Sequence, residues 1–258
     1  MRKISAQAEE RISSGIQKFQ PILRAAQLAN KNESDTVTII TDMLCEVFGY
    51  DKYNQLTSEL SIKRTFCDLA VRLDGQLRLL IECKAIGVDL REEHVMQATN
   101  YAANTGVDYV VLTNGAIWQV YQVLFEKPVE RVLLSQFDFC ELSANQPADY
   151  DTLWPLCVEA FTAAGNAAME ALADKRQSQS LSPYIVGRVL LNDWMLKTIR
   201  GSLQRHFPAI KTSNDEIAAV LRGEVFRPEI VEGPSADEAD RIVTAANEAM
   251  KERQAHHK

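Results

Sequence analysis

Two segments with alternating apolar residues flank Asp74-Gly75, and they constrain the fold more than any other part of the chain. Apolar residues occupy odd positions in both segments, from Cys67 to Leu73 and from Leu77 to Cys83. Asp-Gly between two such segments indicates a β-hairpin. A two-residue turn would put the odd residues of one strand on the face of the even residues of the other, which exposes one apolar row. We therefore predict a three-residue loop with Gly75 in the left-handed conformation, which keeps all odd residues on the core side.

The same argument places charged residues together on the opposite face of the hairpin. Asp68, Glu82 and Lys84 are even-numbered and fall on this face. Residues that pair directly or diagonally across neighbouring strands lie roughly 5–8 Å apart, so we expect Asp68 beside Glu82. Glu82-Cys83-Lys84 is also the one acid-x-Lys sequence among the 258 residues. The hairpin therefore predicts two acids and an amine on a single surface.

The rest of the chain predicts a sheet covered by helices, followed by a helical region. Residues 4–30 form a predicted helix that breaks or kinks near Pro21, and a second helix begins with Asn32 or Ser34 as its cap and ends at Gly49. A predicted helix over 87–106 has the length of a crossover between parallel strands. The other predicted strands cover 56–62, 108–113, 117–125 and 129–139. The predicted C-terminal helices cover 152–176, 184–206, 215–222 and 237–254.

Composition describes an ordinary globular chain. Apolar residues make up 46% and charged residues 24%, and no apolar run approaches the ~20 residues that cross a bilayer. Five cysteines without a C-x-x-C sequence predict free thiols in a reducing compartment and disfavour a zinc site. The N-terminal residues lack the apolar core of a secretion signal. We therefore expect a cytoplasmic protein without a membrane partner.

The charge is unevenly distributed along the chain. The net charge of −7 disfavours strong non-specific binding of nucleic acid by bulk charge. Residues 174–211 nevertheless contain seven basic and two acidic side chains. The basic residues from Arg188 to Lys211 could follow the phosphates of DNA, but a solvated helix face explains them at least as well.

Two acids and an amine on one face suit metal-assisted hydrolysis of a phosphodiester. A divalent metal polarises the phosphate oxygen and lowers the pKa of bound water. Mg²⁺ prefers oxygen ligands and keeps several waters, so Asp68 and Glu82 suffice as carboxylates, with the backbone carbonyl of Cys83 as a third ligand. Lys84 would hold the attacking water or offset charge on the phosphate. A solvated face with a surface salt bridge explains the same residues without any function, although charges on central strands are costly without partners.

A longer set of motifs accompanies these residues over about residues 30–140. The motifs are Asn32-Glu33, Gly49-Tyr50-Asp51, Asp68, Leu80-Ile81-Glu82-Cys83-Lys84, Gln97-x-x-x-Tyr101 and Leu112-Thr113-Asn114-Gly115-Ala116-Ile117-Trp118. In order and spacing they resemble the PD-(D/E)xK nuclease superfamily. Within it, the chain is similar to the N-terminal domain of the type I restriction endonuclease R subunit and to predicted type IV restriction endonucleases. It departs from the pattern at Cys67, a variable position where proline is common.

The resemblance implies an α/β fold. We expect a restriction-endonuclease-like αβββαβ core with a mixed sheet, followed by an α-helical C-terminal region. The predicted domains are an N-terminal helical segment at 1–30, a PD-(D/E)xK nuclease-like domain at 31–145 and a helical C-terminal region at 146–258.

The resemblance also implies activity and residue roles. It implies Mg²⁺-dependent cleavage of DNA, with Mn²⁺ as a substitute, in which Asp68, Glu82 and Lys84 are catalytic. Asp68 and Glu82 would bind the metal, and Glu33 would contact it through water. Gln97 and Tyr101 would support the lysine and bind the DNA backbone.

Several functions remain compatible with the sequence. The first is a DNA endonuclease of restriction or phage defence. Because the chain has no P-loop sequence, we expect that such an enzyme cuts alone, as a monomer or homodimer, or that a protein partner supplies recognition or a motor. The second is a non-catalytic module that binds nucleic acid or protein on a nuclease fold. The third is a nuclease that acts on RNA or in DNA repair.

Overall fold

The computed structural model describes residues 4–62, 65–125, 129–162 and 165–255. It is a mixed α/β structure that divides into two compact units, Met1–Ala173 and Asp174–Lys258. None of the helices in the described ranges has both the length and the apolar character that crossing a membrane requires. Whether residues 31–145 form a domain of their own stays a prediction.

The first unit is built on one mixed sheet. In the described part of the chain, its strands follow one another in the order β1-β2-β3-β4-β5-β6. They are β1 Leu56–Ile62, β2 Thr65–Leu73, β3 Gln76–Cys83, β4 Tyr109–Thr113, β5 Ile117–Leu124 and β6 Glu130–Asp138. The β3–β4 pair is parallel and the other pairs are antiparallel. The αβββαβ order with a mixed sheet is therefore present, as the sequence predicted.

Helices cover both faces of this sheet. The helices are α1 Ala6–Leu28, α2 Glu33–Glu46 and α3 Glu92–Thr105. The odd-numbered residues of β2 and β3, such as Leu69 and Ile81, share a core with α1 and α2. The even-numbered Ala70 and Leu80 instead share a core with residues of α3. The face that carries Asp68 and Glu82 is therefore the face toward α3.

The helix caps follow the sequence. Asn32 caps α2, because its side chain accepts a hydrogen bond from the Asp35 N–H at 2.9 Å. Helix α1 passes through Pro21 without a break, which corrects the predicted interruption. Pro21 is exposed, so water can satisfy the carbonyl that a proline leaves unbonded. Helix α3 begins at Glu92, five residues later than predicted, and ends at Gly106 in the left-handed conformation.

The hairpin keeps the predicted faces by a different device. The β2–β3 turn has two residues, Asp74 and Gly75, both with positive φ. The extra residue lies instead in β3, where Arg78 forms a bulge between the Val71–Leu79 and Arg72–Leu77 pairs. Beyond the bulge, Leu69 pairs with Ile81, so these odd residues still share one face. The predicted three-residue loop was therefore wrong. The predicted core face is correct for Leu69, Val71, Leu79, Ile81 and Cys83, whereas Cys67 and Leu77 pack in the core on the α3 side.

The region after the sheet differs most from the prediction. No single helix covers 152–176: Pro147–Leu153 forms α4, then come two 3₁₀ turns and the short β7–β8 pair, Phe161–Thr162 and Gly165–Asn166. Helix α5, Ala167–Ser180, begins only after Asn166, whose Oδ1 accepts hydrogen bonds from the Ala168 and Met169 N–H groups.

The second unit is helical. Its helices after α5 are α6 Pro183–Leu190, α7 Asp193–His206, α8 Asn214–Val220, α9 Pro228–Val231 and α10 Pro234–Ala255. The predicted helix 184–206 is divided between α6 and α7, because Asn192 caps a new helix through a bond from the Met195 N–H to its Oδ1. The predicted helices 215–222 and 237–254 correspond to α8 and α10.

Candidate active site

Glu82 lies at the centre of the candidate site, near the end of β3. Its side chain is 1% exposed. One carboxylate oxygen, Oε1, accepts a hydrogen bond from Lys84 Nζ at 2.7 Å. The other, Oε2, is buried and has no hydrogen-bond partner. A buried carboxylate oxygen without a partner is unfavourable, so this atom calls for an explanation.

Asp68 meets Glu82 across the β2–β3 pair. Its Oδ2 accepts a hydrogen bond from the Cys83 backbone N–H at 2.7 Å. This bond fixes the Asp68 carboxylate beside the Glu82–Cys83 peptide. The alternation of apolar residues along the hairpin predicted this juxtaposition, and the structure brings the two acids together.

Lys84 follows directly after β3 and joins two parts of the first unit. Its backbone N–H donates to the Thr113 carbonyl at 2.9 Å, which ties it to β4. Its Nζ lies 3.9 Å from Glu33 Oε2, at the start of α2. The Lys84 side chain is 14% exposed and that of Glu33 is 51% exposed. The structure therefore places Glu33 near Lys84, whereas contact of Glu33 with a metal through water stays a prediction.

Cys83 can contribute only through its backbone. Its side chain is fully buried in the core shared with α1 and α2, and burial raises the pKa of the thiol well above its ordinary value. The Cys83 carbonyl, which we predicted from the sequence as a third Mg²⁺ ligand, lies between Glu82 and Lys84 in the chain.

Gln97 and Tyr101 lie on α3, on the side of the sheet that carries Asp68 and Glu82. Gln97 is exposed, whereas Tyr101 is 5% exposed and packs in the core beneath α3. Gln97 Nε2 donates to the Tyr101 hydroxyl at 2.8 Å. This bond fixes the exposed amide, but contact of either residue with substrate stays a prediction.

Burial dominates the titration of the two acids. Desolvation raises the pKa of Glu82 to about 7, and the negative charges of Asp68 and Glu33 add to this, while Lys84 opposes it. Desolvation also raises the pKa of Asp68, against the bond from the Cys83 N–H and the charge of Lys84. Both acids are therefore less favourable as anions than in water.

Burial and the neighbouring acids shift the pKa of Lys84 in opposite directions. Desolvation alone would lower the pKa of Lys84, but its hydrogen bond to Glu82 and the surrounding acids outweigh this and raise it. The amine is therefore held as a cation beside the two acids.

Other residues surround the site. Desolvation and, after it, the charge of Lys84 lower the pKa of His94. Thr36 Oγ1 accepts a hydrogen bond from the Ile86 N–H at 3.1 Å, and Asn114 Nδ2 donates to the Val88 carbonyl at 3.0 Å. The latter two bonds brace the loop that follows Lys84. Thr36 was not identified from the sequence, because a sequence does not reveal a long-range bond of this kind.

The arrangement limits how a metal could bind. Among the described residues, no group of three or more His, Cys, Asp or Glu side chains is arranged to hold a metal ion. A cation at this position would therefore depend on the Asp68 and Glu82 carboxylates, the Cys83 carbonyl and water. Such a set is compatible with Mg²⁺, which commonly takes one or two carboxylates and keeps several waters.

Comparison with known proteins relates this region to one family. No curated protein and no solved structure matches the chain. The family model described as type I restriction enzyme R protein N terminus (HSDR_N) matches residues 38–133, a segment that contains the hairpin and α3 but not Glu33. Residues 38–133 are therefore similar to the N-terminal region of type I restriction enzyme R proteins, which confirms the resemblance seen in the sequence.

Proposed function

We propose that the protein is a metal-dependent endonuclease that hydrolyses DNA phosphodiester bonds in restriction or phage defence. The observation that carries the proposal is the buried, unpartnered Oε2 of Glu82 beside Asp68 and Lys84. A divalent cation is a partner that would satisfy this oxygen and offset the repulsion between the two acids. The similarity to a restriction enzyme family supports the choice of DNA as substrate.

The residues fit Mg²⁺, with Mn²⁺ as a substitute. Asp68, Glu82 and the Cys83 carbonyl offer hard oxygen donors, and Glu33 would act through a bound water. When bound, the cation would polarise a phosphate oxygen and lower the pKa of water. We regard Asp68, Glu82 and Lys84 as the catalytic set.

The side chains of this chain would prepare the site in three ways. The Cys83 N–H holds the Asp68 carboxylate in place at 2.7 Å. Lys84 keeps a positive charge next to the position of the phosphate, where it would offset negative charge in the transition state. Gln97, held by Tyr101, is an exposed donor that would contact the DNA backbone.

The proposed partners follow from the same similarity. DNA is the substrate. A second protein would supply recognition or a motor, because the matching family is the N terminus of the R protein of type I restriction enzymes. A homodimer would let two such sites cut two strands.

A nicking assay on supercoiled plasmid with Mg²⁺ or Mn²⁺ tests the function. We expect Lys84→Ala and Asp68→Asn each to lower the rate about 100-fold or more, since the first removes the cation that would offset charge on the phosphate and the second removes a carboxylate ligand of the metal. Lys52→Ala is the matched control, because Lys52 is an exposed lysine that pairs with Asp42. Cleavage by Lys84→Ala at the wild-type rate would contradict the proposal.

One observation favours a non-catalytic binding module instead. Glu82 and Lys84 already neutralise each other through their ion pair, so the site could be purely structural. In that case the wild-type protein would bind methylated or unmethylated DNA without cutting it. Cleavage of labelled RNA in preference to DNA would identify an RNA nuclease.

A further inference from the structure

Glu59 has an unusual backbone conformation inside β1. Its φ is 50°, in the left-handed region. The residues around it keep their register with β2, since Ser58 pairs with Leu69 and Leu60 pairs with Cys67. Glu59 therefore lies opposite Asp68. Residues other than glycine rarely adopt positive φ, and such conformations persist where the surrounding structure imposes them.

This conformation holds a second negative charge near Asp68. Glu59 is exposed, and its place opposite Asp68 on the neighbouring strand brings the two carboxylates close to each other. Two carboxylates that repel each other destabilise a metal-free protein. A cation between or beside them would convert this repulsion into attraction.

An independent observation indicates a ligand at the same place. Glu82 Oε2, on the other side of Asp68, is buried without a hydrogen-bond partner. The three acids Glu59, Asp68 and Glu82 lie on the adjacent strands β1, β2 and β3. A positive charge in front of Asp68 would therefore interact favourably with all three.

We propose that Glu59 is a further acidic residue of the cation site, beside Asp68, Glu82 and Glu33, which contacts the divalent cation through a metal-bound water and strengthens its binding. Contact through water agrees with the lack of three direct side-chain ligands among the described residues. It also suits Mg²⁺ and Mn²⁺, since Mg²⁺ retains much of its water shell in proteins. The inference rests on the proposed function, which places a cation at Asp68 and Glu82.

Calorimetric titration of the full chain with Mn²⁺ tests the role of Glu59. We expect Glu59→Gln, which removes the charge and keeps the size, to weaken Mn²⁺ binding about five- to tenfold. Glu130→Gln is the matched control, because Glu130 is also an exposed strand glutamate but lies at the start of β6, on the opposite edge of the sheet. The Mn²⁺ affinity of Glu130→Gln should equal that of the wild type.

The outcomes separate this inference from the proposed function. If the wild type binds Mn²⁺, Asp68→Asn does not and Glu59→Gln binds as the wild type does, Glu59 is not part of the site. If the wild type itself does not bind Mn²⁺, both the cation site and the role of Glu59 are wrong.

A second variant tests whether the conformation of Glu59 is maintained at a cost. In the presence of a metal chelator, Glu59→Gly should raise the melting temperature of the protein, because glycine adopts positive φ without strain. The same variant should bind Mn²⁺ as weakly as Glu59→Gln. A lower melting temperature together with unchanged Mn²⁺ affinity would assign Glu59 to the fold alone and overturn the proposal.

Discussion

At the scale of single residues, Glu82 and Glu159 show how a partner decides the state of a carboxylate. Both are desolvated. Glu82 has one hydrogen bond to Lys84 and an unpartnered oxygen, and its pKa rises to about 7. Glu159 receives two bonds from Arg11, at 2.5 and 2.8 Å, and its pKa falls below the ordinary value. The Arg11–Glu159 pair is therefore satisfied within the protein, whereas Glu82 is not.

This contrast leads to a prediction about Glu159 and pH. A lowered pKa in the folded state means that ionised Glu159 stabilises the fold above its unfolded pKa of about 4.5. That contribution is lost as the pH falls through the lower pKa of the folded state. We expect Glu159→Gln to reduce the free energy of unfolding at pH 7 by about 0.5–1 kcal/mol, a range that allows for solvent screening of a pair that is 37% exposed at Glu159.

Urea unfolding of the wild type and Glu159→Gln from pH 3 to pH 7 measures this difference. It should be constant above the unfolded pKa and disappear toward the acid end. A difference that grows as the pH falls would contradict the assigned direction. Lys31 and Asp35 form an exposed i,i+4 pair, so Asp35→Asn serves as a control with a smaller effect.

Residue patterns identified part of the site for a physical reason. The alternation of side chains along a strand is strict enough that parity placed Asp68, Glu82 and Lys84 on one face. Glu59 and Thr36 were not identified in this way. A positive φ at a glutamate and a hydrogen bond between a helix side chain and a distant loop both arise from tertiary packing, and neither produces a periodic pattern.

At the scale of elements, the β2–β3 hairpin shows why faces are easier to predict than turns. Burial of the odd residues fixes which face points to the core, and the chain can meet that demand by an extra residue at more than one position. Here the extra residue is Arg78 in β3, opposite Val71 and Arg72, and the turn itself is a two-residue turn. The apolar pattern strongly constrains which residues face the core. The length of the loop was predicted only from a preference among turn types, which is a weaker constraint.

The turn gives a prediction that isolates backbone conformation. Gly75 has φ +75°, and a Cβ added there would have no heavy atom within 4 Å. Gly75→Ala should therefore lower the free energy of unfolding by about 1 kcal/mol, from left-handed strain alone. Gly201→Ala is the control, because Gly201 lies in α7, lacks positive φ and also has open space around it. That change should stabilise its helix by about 0.5–1 kcal/mol.

Urea denaturation followed by circular dichroism measures both variants. Equal effects of the two alanines, in either direction, would contradict the assigned turn. An unchanged cleavage rate for Gly75→Ala, under the nicking assay, would agree with a turn that lies at the far end of the hairpin from Asp68.

The region after the sheet marks where composition misleads. The alanine content of 152–176 favours a helix, but Pro155 and Gly165, the latter with φ +138°, interrupt it. The buried Asn166 then holds the Pro155 carbonyl through its Nδ2 at 2.8 Å and caps α5. Helix propensity is a weak preference, and a buried polar side chain with three backbone bonds outweighs it.

At the scale of the whole molecule, the acidic site and the basic segment belong to different compact units. The site residues all lie in the unit Met1–Ala173, whereas the basic segment 174–211 lies in the unit Asp174–Lys258. Within the second unit, part of the basic charge is already paired, since Arg188 bonds to Asp240 and Lys197 to Asp193. The proposed metal site and the excess positive charge can therefore be perturbed separately.

This separation predicts where a cation should slow hydrogen exchange. A ligand that binds only the native state reduces the opening that permits hydrogen exchange by a factor of 1 + [L]/Kd, where [L] is the free ligand concentration. At a ligand concentration of 100 times Kd this factor is about 100. With Mn²⁺, peptides that cover β2 and β3 should exchange more slowly, and peptides that cover α7 and α8 should not change. Asp68→Asn should remove the slowing. Slowing in the helical unit, or slowing that persists in Asp68→Asn, would mean that the cation binds elsewhere, and the Asp68–Glu82 site would then lose its support.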